Sequence, residues 1–152
     1  MRKVLVSVLL LGLVAGAFSA VPAMAKKKKK KTITVSEEFS AGPHAPMPTG
    51  IAGETEGCLE SNETVNKTVV DYTTPGKGIM TVEIKDFQGD WDLYLMEGDS
   101  MIASSHASQL QDAPPVETIM VNLGAKKNVS IVACNWAGGP TAAGSYTYKY
   151  KK

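Results

Sequence analysis

Four aspartates, Asp86, Asp90, Asp92 and Asp99, crowd one stretch of the chain. On an extended strand Asp90 and Asp92 project to the same side, about 7 Å apart. Carboxylates at that spacing suit a shared calcium ion completed by loop carbonyls, with Asp86, Asp90 and Asp92 as the candidate ligands. They suit equally a solvent-facing strand edge whose aspartates accept hydrogen bonds from turn amides. No EF-hand loop is present. Cys58 and Cys134 are the only cysteines. Neither belongs to a Cys-x-x-Cys motif and no Cys/His cluster has zinc spacing, so a structural disulfide between them is expected. Trp136, among the loop-forming residues Asn135, Ala137, Gly138 and Gly139, reads either as an exposed aromatic platform for a sugar or peptide or as part of a β core.

Catalytic constellations are missing from the sequence. There is no Gly-x-Ser-x-Gly elbow and no His-Glu-x-x-His helix. Ser104, Ser105 and His106 are neighbours in sequence, but triads converge through the fold, so adjacency carries no weight. Nothing singles out two of the fifteen acids for glycoside hydrolysis. The reading is of a non-enzyme.

The 152 residues suffice for one domain of ordinary size. Arg2 and Lys3 precede an apolar run from Val4 to Val21 that ends at Pro22-Ala23-Met24-Ala25, the layout of a secretory signal peptide over residues 1–25. Six lysines follow: Lys26, Lys27, Lys28, Lys29, Lys30 and Lys31. This polylysine arm reads as a solvated linker or as an electrostatic attachment to a membrane or other anionic surface. Six charges after the apolar run against two before it also fit an uncleaved anchor, by the positive-inside rule. Beyond residue 31 come eight basic and fifteen acidic residues, a net of −7, which excludes a basic nucleic-acid-binding domain.

From residue 32 to 152 one domain is expected, with alternation of period two throughout. Ile33, Val35 and Phe39 alternate with polar residues, as do Thr68, Val70 and Tyr72, then Met80, Val82 and Ile84, then Trp91, Leu93 and Leu95. Ile119, Val121 and Leu123 follow the rule, then Val129, Ile131 and Ala133, then Tyr146, Tyr148 and Tyr150. A weaker strand is expected over Met101–Ser105. Turns are expected at Pro75–Gly78, Gly89-Asp90, Glu97–Asp99, Pro114-Pro115, Gly124-Ala125 and Gly138–Pro140. Seven or eight short strands with no convincing helix predict an all-β, antiparallel β-sandwich. Residues 41–65, rich in Pro and Gly and then acidic, read as an extended loop segment.

Three stretches carry a family resemblance: Gly78–Lys85, then Gly89-Asp90-Trp91-Asp92-Leu93-Tyr94-Leu95, then Val129–Tyr150 with Val132–Pro140 and Gly144–Tyr148 inside it. Together they resemble the bacterial pre-peptidase C-terminal domain family, whose signature strand is Gly-Asp-x-Asp-Leu-Tyr. The resemblance implies a jelly-roll-like sandwich in a secreted protein, an accessory module with calcium, collagen or polysaccharide binding among its members. The family's calcium ligands come largely from an acidic segment ahead of the sandwich. Glu54, Glu56, Glu60 and Glu63 stand near that place, without a residue-by-residue match. No catalytic domain precedes the module here, so it is expected to act alone or with partners. The expectation is a secreted, extracellular binding module for a surface polysaccharide or protein. The alternative is a structural component of the cell envelope, held by the lysine arm or the anchor.

Overall fold

The computed structural model describes residues 30–46, 57–60, 65–106 and 115–152. The expected signal (1–25), most of the lysine run and parts of the 41–65 segment lie outside the described residues. Among the described residues there are eight strands and one helical turn: β1 (Thr32–Ala41), α1 (Gly57–Glu60), β2 (Lys67–Thr73), β3 (Gly78–Lys85), β4 (Gly89–Glu97), β5 (Ser100–Ser105), β6 (Val116–Leu123), β7 (Asn128–Gly138) and β8 (Ala142–Lys151).

The strands form two four-stranded sheets, ordered β1-β8-β3-β6 and β2-β7-β4-β5. Every pairing is antiparallel. Consecutive strands alternate between the sheets except across the β4–β5 hairpin, and the first strand lies beside the last. Two Greek keys wound together give this order, so the sandwich is a jelly roll. Of the two sheets, the first is sheet A and the second sheet B.

The alternation explains the core. Met80, Val82 and Ile84 of β3, Trp91, Leu93 and Leu95 of β4, and Val129, Ile131 and Ala133 of β7 point between the sheets and are buried. Tyr146 and Tyr148 join them from β8, and Tyr72 of β2 packs its ring against both, with centroids 5.2 and 5.4 Å away. The Tyr148 hydroxyl still reaches a polar partner at the rim, donating to the Gly76 carbonyl at 2.5 Å. Trp91 likewise donates its indole N–H to the Gly139 carbonyl at 3.1 Å.

Two turns depart from expectation. Gly89-Asp90 does not form a turn but opens β4. The turn lies just before, at residues 86–88, and Asp86 takes a left-handed φ of 58° in it, a conformation that Asp tolerates better than most residues. Gly89 has φ 79°, and a Cβ there would run into the Ala137 carbonyl, so only glycine fits. The loop-rich segment also holds one helical turn, α1, too short to leave a periodic trace in the sequence.

Candidate functional site

Strands β4 and β7 break the half-buried rule. Trp91 to Leu95 and Ile131 to Asn135 are buried without interruption, on both faces. Among the described residues, α1 covers the middle of the outward face of sheet B, over β7 and β4, while Val69 of β2 and Met101 of β5 stay exposed at its edges. Cys58 of α1 is bonded to Cys134 of β7, as expected, with Cα atoms 6.4 Å apart across 76 positions of sequence. Around the bond a second apolar cluster forms from Tyr94 and Val132, with Leu59 and Met96 against it. Lys67, the register partner of Cys134, donates from Nζ to the Cys58 carbonyl at 2.9 Å and so ties down the end of the turn. Further along, Ala45 N–H donates to the Val65 carbonyl, and Asn135 Nδ2 donates to the His44 carbonyl at 3.1 Å. His44 Nε2 sits 2.6 Å from Thr68 Oγ1. Burial holds the His44 pKa below the ordinary imidazole value.

The candidate metal ligands separate in this frame. Asp90 and Asp92 share the covered side of β4, close enough that the Asp90 charge raises the Asp92 pKa. Desolvation is the main cause of that rise and of the rise at Asp90. Asp92 is buried and accepts a hydrogen bond from Tyr94 Oη at 2.8 Å. Burial and the two carboxylates together push the Tyr94 phenol far up. Asp86 lies elsewhere, lining a shallow recess with Glu38, Ser40 and Thr141. Among the described residues no three His, Cys, Asp or Glu side chains group as a metal site. Asp90 and Asp92 therefore come together and Asp86 does not join them. Glu60 and the other glutamates ahead of the sandwich have no described side chains.

Trp136 is half-buried. Asp90 pairs with Ala137 and Trp91 with Asn135, so Trp136 is the extra residue of a β-bulge. Ser104 and Ser105 turn opposite ways. Ser104 is opposite Tyr94 and bonds His106 Nε2 at 3.2 Å, whereas Ser105 faces inward and donates to Glu117. Glu117, fully buried on the inner face of β6, was not singled out in the sequence. Its parity with Ile119, Val121 and Leu123 carries the signal.

Among the described residues nothing covers the outward face of sheet A. Its side chains form rows across the strands: Thr34, Lys149, Ile79 and Asn122; then Ser36, Thr147, Thr81 and Met120; then Glu38, Ser145, Glu83 and Thr118. Met120 is 72% exposed and Ile79 43%.

Charge is sorted along the strands. Both described termini and the 74–77, 98–99 and 124–127 connections lie at one end. Eight lysines gather there: Lys30, Lys31, Lys77, Lys126, Lys127, Lys149, Lys151 and Lys152. The described acids at that end are Asp71, Glu97 and Asp99, and Glu97 is paired with Lys127 at 2.5 Å. The opposite end holds Glu38, Glu83, Asp86, Asp90, Asp92 and Glu117 against Lys67 and Lys85. Lys31 exchanges two backbone hydrogen bonds with Lys152, so the lysine run enters the fold at the lysine-rich corner. At that corner a groove of about 670 Å³ opens on the outer face of sheet A, lined by Lys30, Thr32, Lys77, Ile79, Asn122, Lys149, Tyr150 and Lys151. Sequence reasoning marked Lys30 and Lys31 only as part of an arm. Lys77, Lys149 and Lys151 become a group only when β1, β8 and β3 pair.

Among the described residues, fold and site together define a disulfide-pinned jelly-roll sandwich with one partly covered face, one open face and a cationic end. No protein-family model and no curated protein matches the chain. Among solved structures it is similar to a crystal structure from Aeromonas hydrophila, PliG, a periplasmic lysozyme inhibitor of g-type lysozyme, at 9% identity over 81% of this chain and 90% of that one, with a TM-score of 0.42. A likeness that slight identifies neither a shared fold nor a shared partner. Among the described residues no helix is long and apolar enough to cross a membrane.

Proposed function

We propose that this chain is an exported, non-enzymatic β-sandwich that binds a polymer of the cell surface, a polysaccharide or a protein, as an accessory or adhesion module. The observation that carries the reading is the contrast between a sheet B whose central strands are covered and a polar sheet A that is open among the described residues, with its lysines gathered at one end. The Cys58–Cys134 bond supports an oxidising compartment outside the cytosol. The resemblance to the pre-peptidase C-terminal domain family belongs to the same proposal and adds the accessory role.

Retention of the exported chain on immobilised cell-wall polymers and matrix proteins tests the reading. Specific, saturable retention on one of them is the expected result, and retention on none would overturn it. The lysine-rich corner also favours a second reading, a structural envelope component held by charge. Fractionation separates the two. Free protein in the culture supernatant supports the binding module, and protein released from the envelope only by high salt supports the structural component.

A further inference from the structure

We propose that the groove at the lysine end of sheet A seats a linear acidic polysaccharide bearing carboxylate or sulfate groups. This rests on the polymer-binding reading above and gives it a site and a ligand class. Lys30, Lys77, Lys149 and Lys151 line the groove, and no carboxylate is among its described lining residues. The lysines come from the approach to β1, from β8 and from the approach to β3, three adjacent strands in sheet A. Neighbouring strands lie about 4.8 Å apart, so cations from successive strands meet a polymer crossing the sheet at short, repeated intervals. A repeating polyanion matches that array better than a single small anion does.

The remaining lining fits a sugar. Thr32 and Asn122 offer hydroxyl and amide groups, and Ile79, 43% exposed, offers an apolar patch for the C–H face of a ring. The next row inward, Ser36, Thr147 and Thr81, continues the hydroxyl lining. The row beyond it carries Glu38 and Glu83, which repel a polyanion and confine it to the lysine half. Nucleic acid fits less well. Single-strand binding uses exposed rings on which bases stack, and Tyr150 instead stacks on Tyr148 at 5.9 Å beneath the Gly76 turn.

The test measures binding of the exported chain, lysine run intact in every variant, to polygalacturonate, to heparin and to neutral dextran at low and physiological salt. Lys149→Glu with Lys151→Glu should weaken binding to the acidic polymers at least tenfold. Lys77→Glu alone should weaken it by a smaller factor, and Lys85→Glu, at the acidic end of the same face, less than twofold. The Lys→Arg pair at 149 and 151 should restore binding. These side chains are exposed or at the rim, and an unchanged melting temperature confirms that each variant folds. Undiminished binding by the Lys149→Glu, Lys151→Glu double variant would overturn the site. So would tighter binding to vesicles of anionic phospholipid than to either acidic polymer, which would make a membrane the partner. Lysine-independent retention on dextran or on a matrix protein overturns the groove and leaves the polymer-binding reading standing. Failure to bind any polymer overturns both.

Discussion

The two outer faces of the sandwich are built from the same period-two pattern and meet opposite fates. On sheet B the outward residues Tyr94, Val132 and Cys134 are buried beneath a segment from early in the chain, fixed by a disulfide. On sheet A the outward residues are threonines, serines, lysines and, at the far end, Glu38 and Glu83, with Ile79 and Met120 among them, and no described segment covers them. Alternation therefore assigns a strand its inner face and leaves the use of its outer face to the rest of the chain. A covered face serves stability, and an open one with sorted charge serves contact with something else.

The comparison breaks most visibly at the disulfide. Replacing Cys58 and Cys134 with alanine, or reducing the bond, frees a loop of about 75 residues, worth about 4–5 kcal/mol in the chain-entropy model. Against a typical stability of about 5–15 kcal/mol this is a large share, and the melting temperature should fall sharply. Calorimetry with and without reductant checks it. An unchanged transition would mean that the cover contributes nothing to the fold.

Tyr94→Phe should have the next largest effect. The buried Asp92 carboxylate loses its donor, a loss of about 1.5–3 kcal/mol for a hydrogen bond to a charged group. Denaturant melts at neutral pH measure it, and the loss should shrink once Asp92 is protonated.

The pH dependence sharpens the same point. Asp92 and Asp90 have pKa values raised by burial, so the fold binds their protons more readily than the unfolded chain does. Their contribution to stability is fully present below the unfolded carboxyl pKa and is lost as pH rises through the folded value. Asp92→Asn should therefore be more stable than wild type near neutrality and lose that advantage in acid. The same variant reports on calcium: a fall in melting temperature in calcium buffer but not in chelator would assign Asp90 and Asp92 to a metal ion. His44, its pKa lowered by burial, acts in the opposite sense and costs stability as pH falls below the ordinary imidazole range. His44→Gln should flatten that part of the profile.

The smallest effects belong to the open face. Met120→Thr and Thr81→Val should each shift stability by less than about 0.5 kcal/mol, as substitutions away from packed features do. A larger loss from either would show that sheet A, too, is covered.

Much of this was legible in the residues. The parities of Met80–Ile84, Trp91–Leu95 and Tyr146–Tyr150 mark their strands and core faces correctly, because each side chain's direction is a local property. The partnership of Cys58 and Cys134 followed from there being no third cysteine. The double burial of β4 and β7 was not legible, since nothing local to Asp92 or Val132 says that residue 58 will lie over them. The bulge at Trp136 was hidden for a related reason: a register slip exists only between two strands. The lysine groove needed the topology, because Lys30, Lys77 and Lys149 are far apart until β1 and β3 flank β8.

The central claim, that the open lysine end of sheet A is the working surface, is tested most directly by amide hydrogen exchange with and without a saturating acidic oligosaccharide. Protection should rise at Lys77–Ile79 and Lys149–Lys151 and stay constant at Leu59, Met96 and Val132 on the covered face. Protection appearing around Leu59 and Met96 instead, or at neither face, would contradict it.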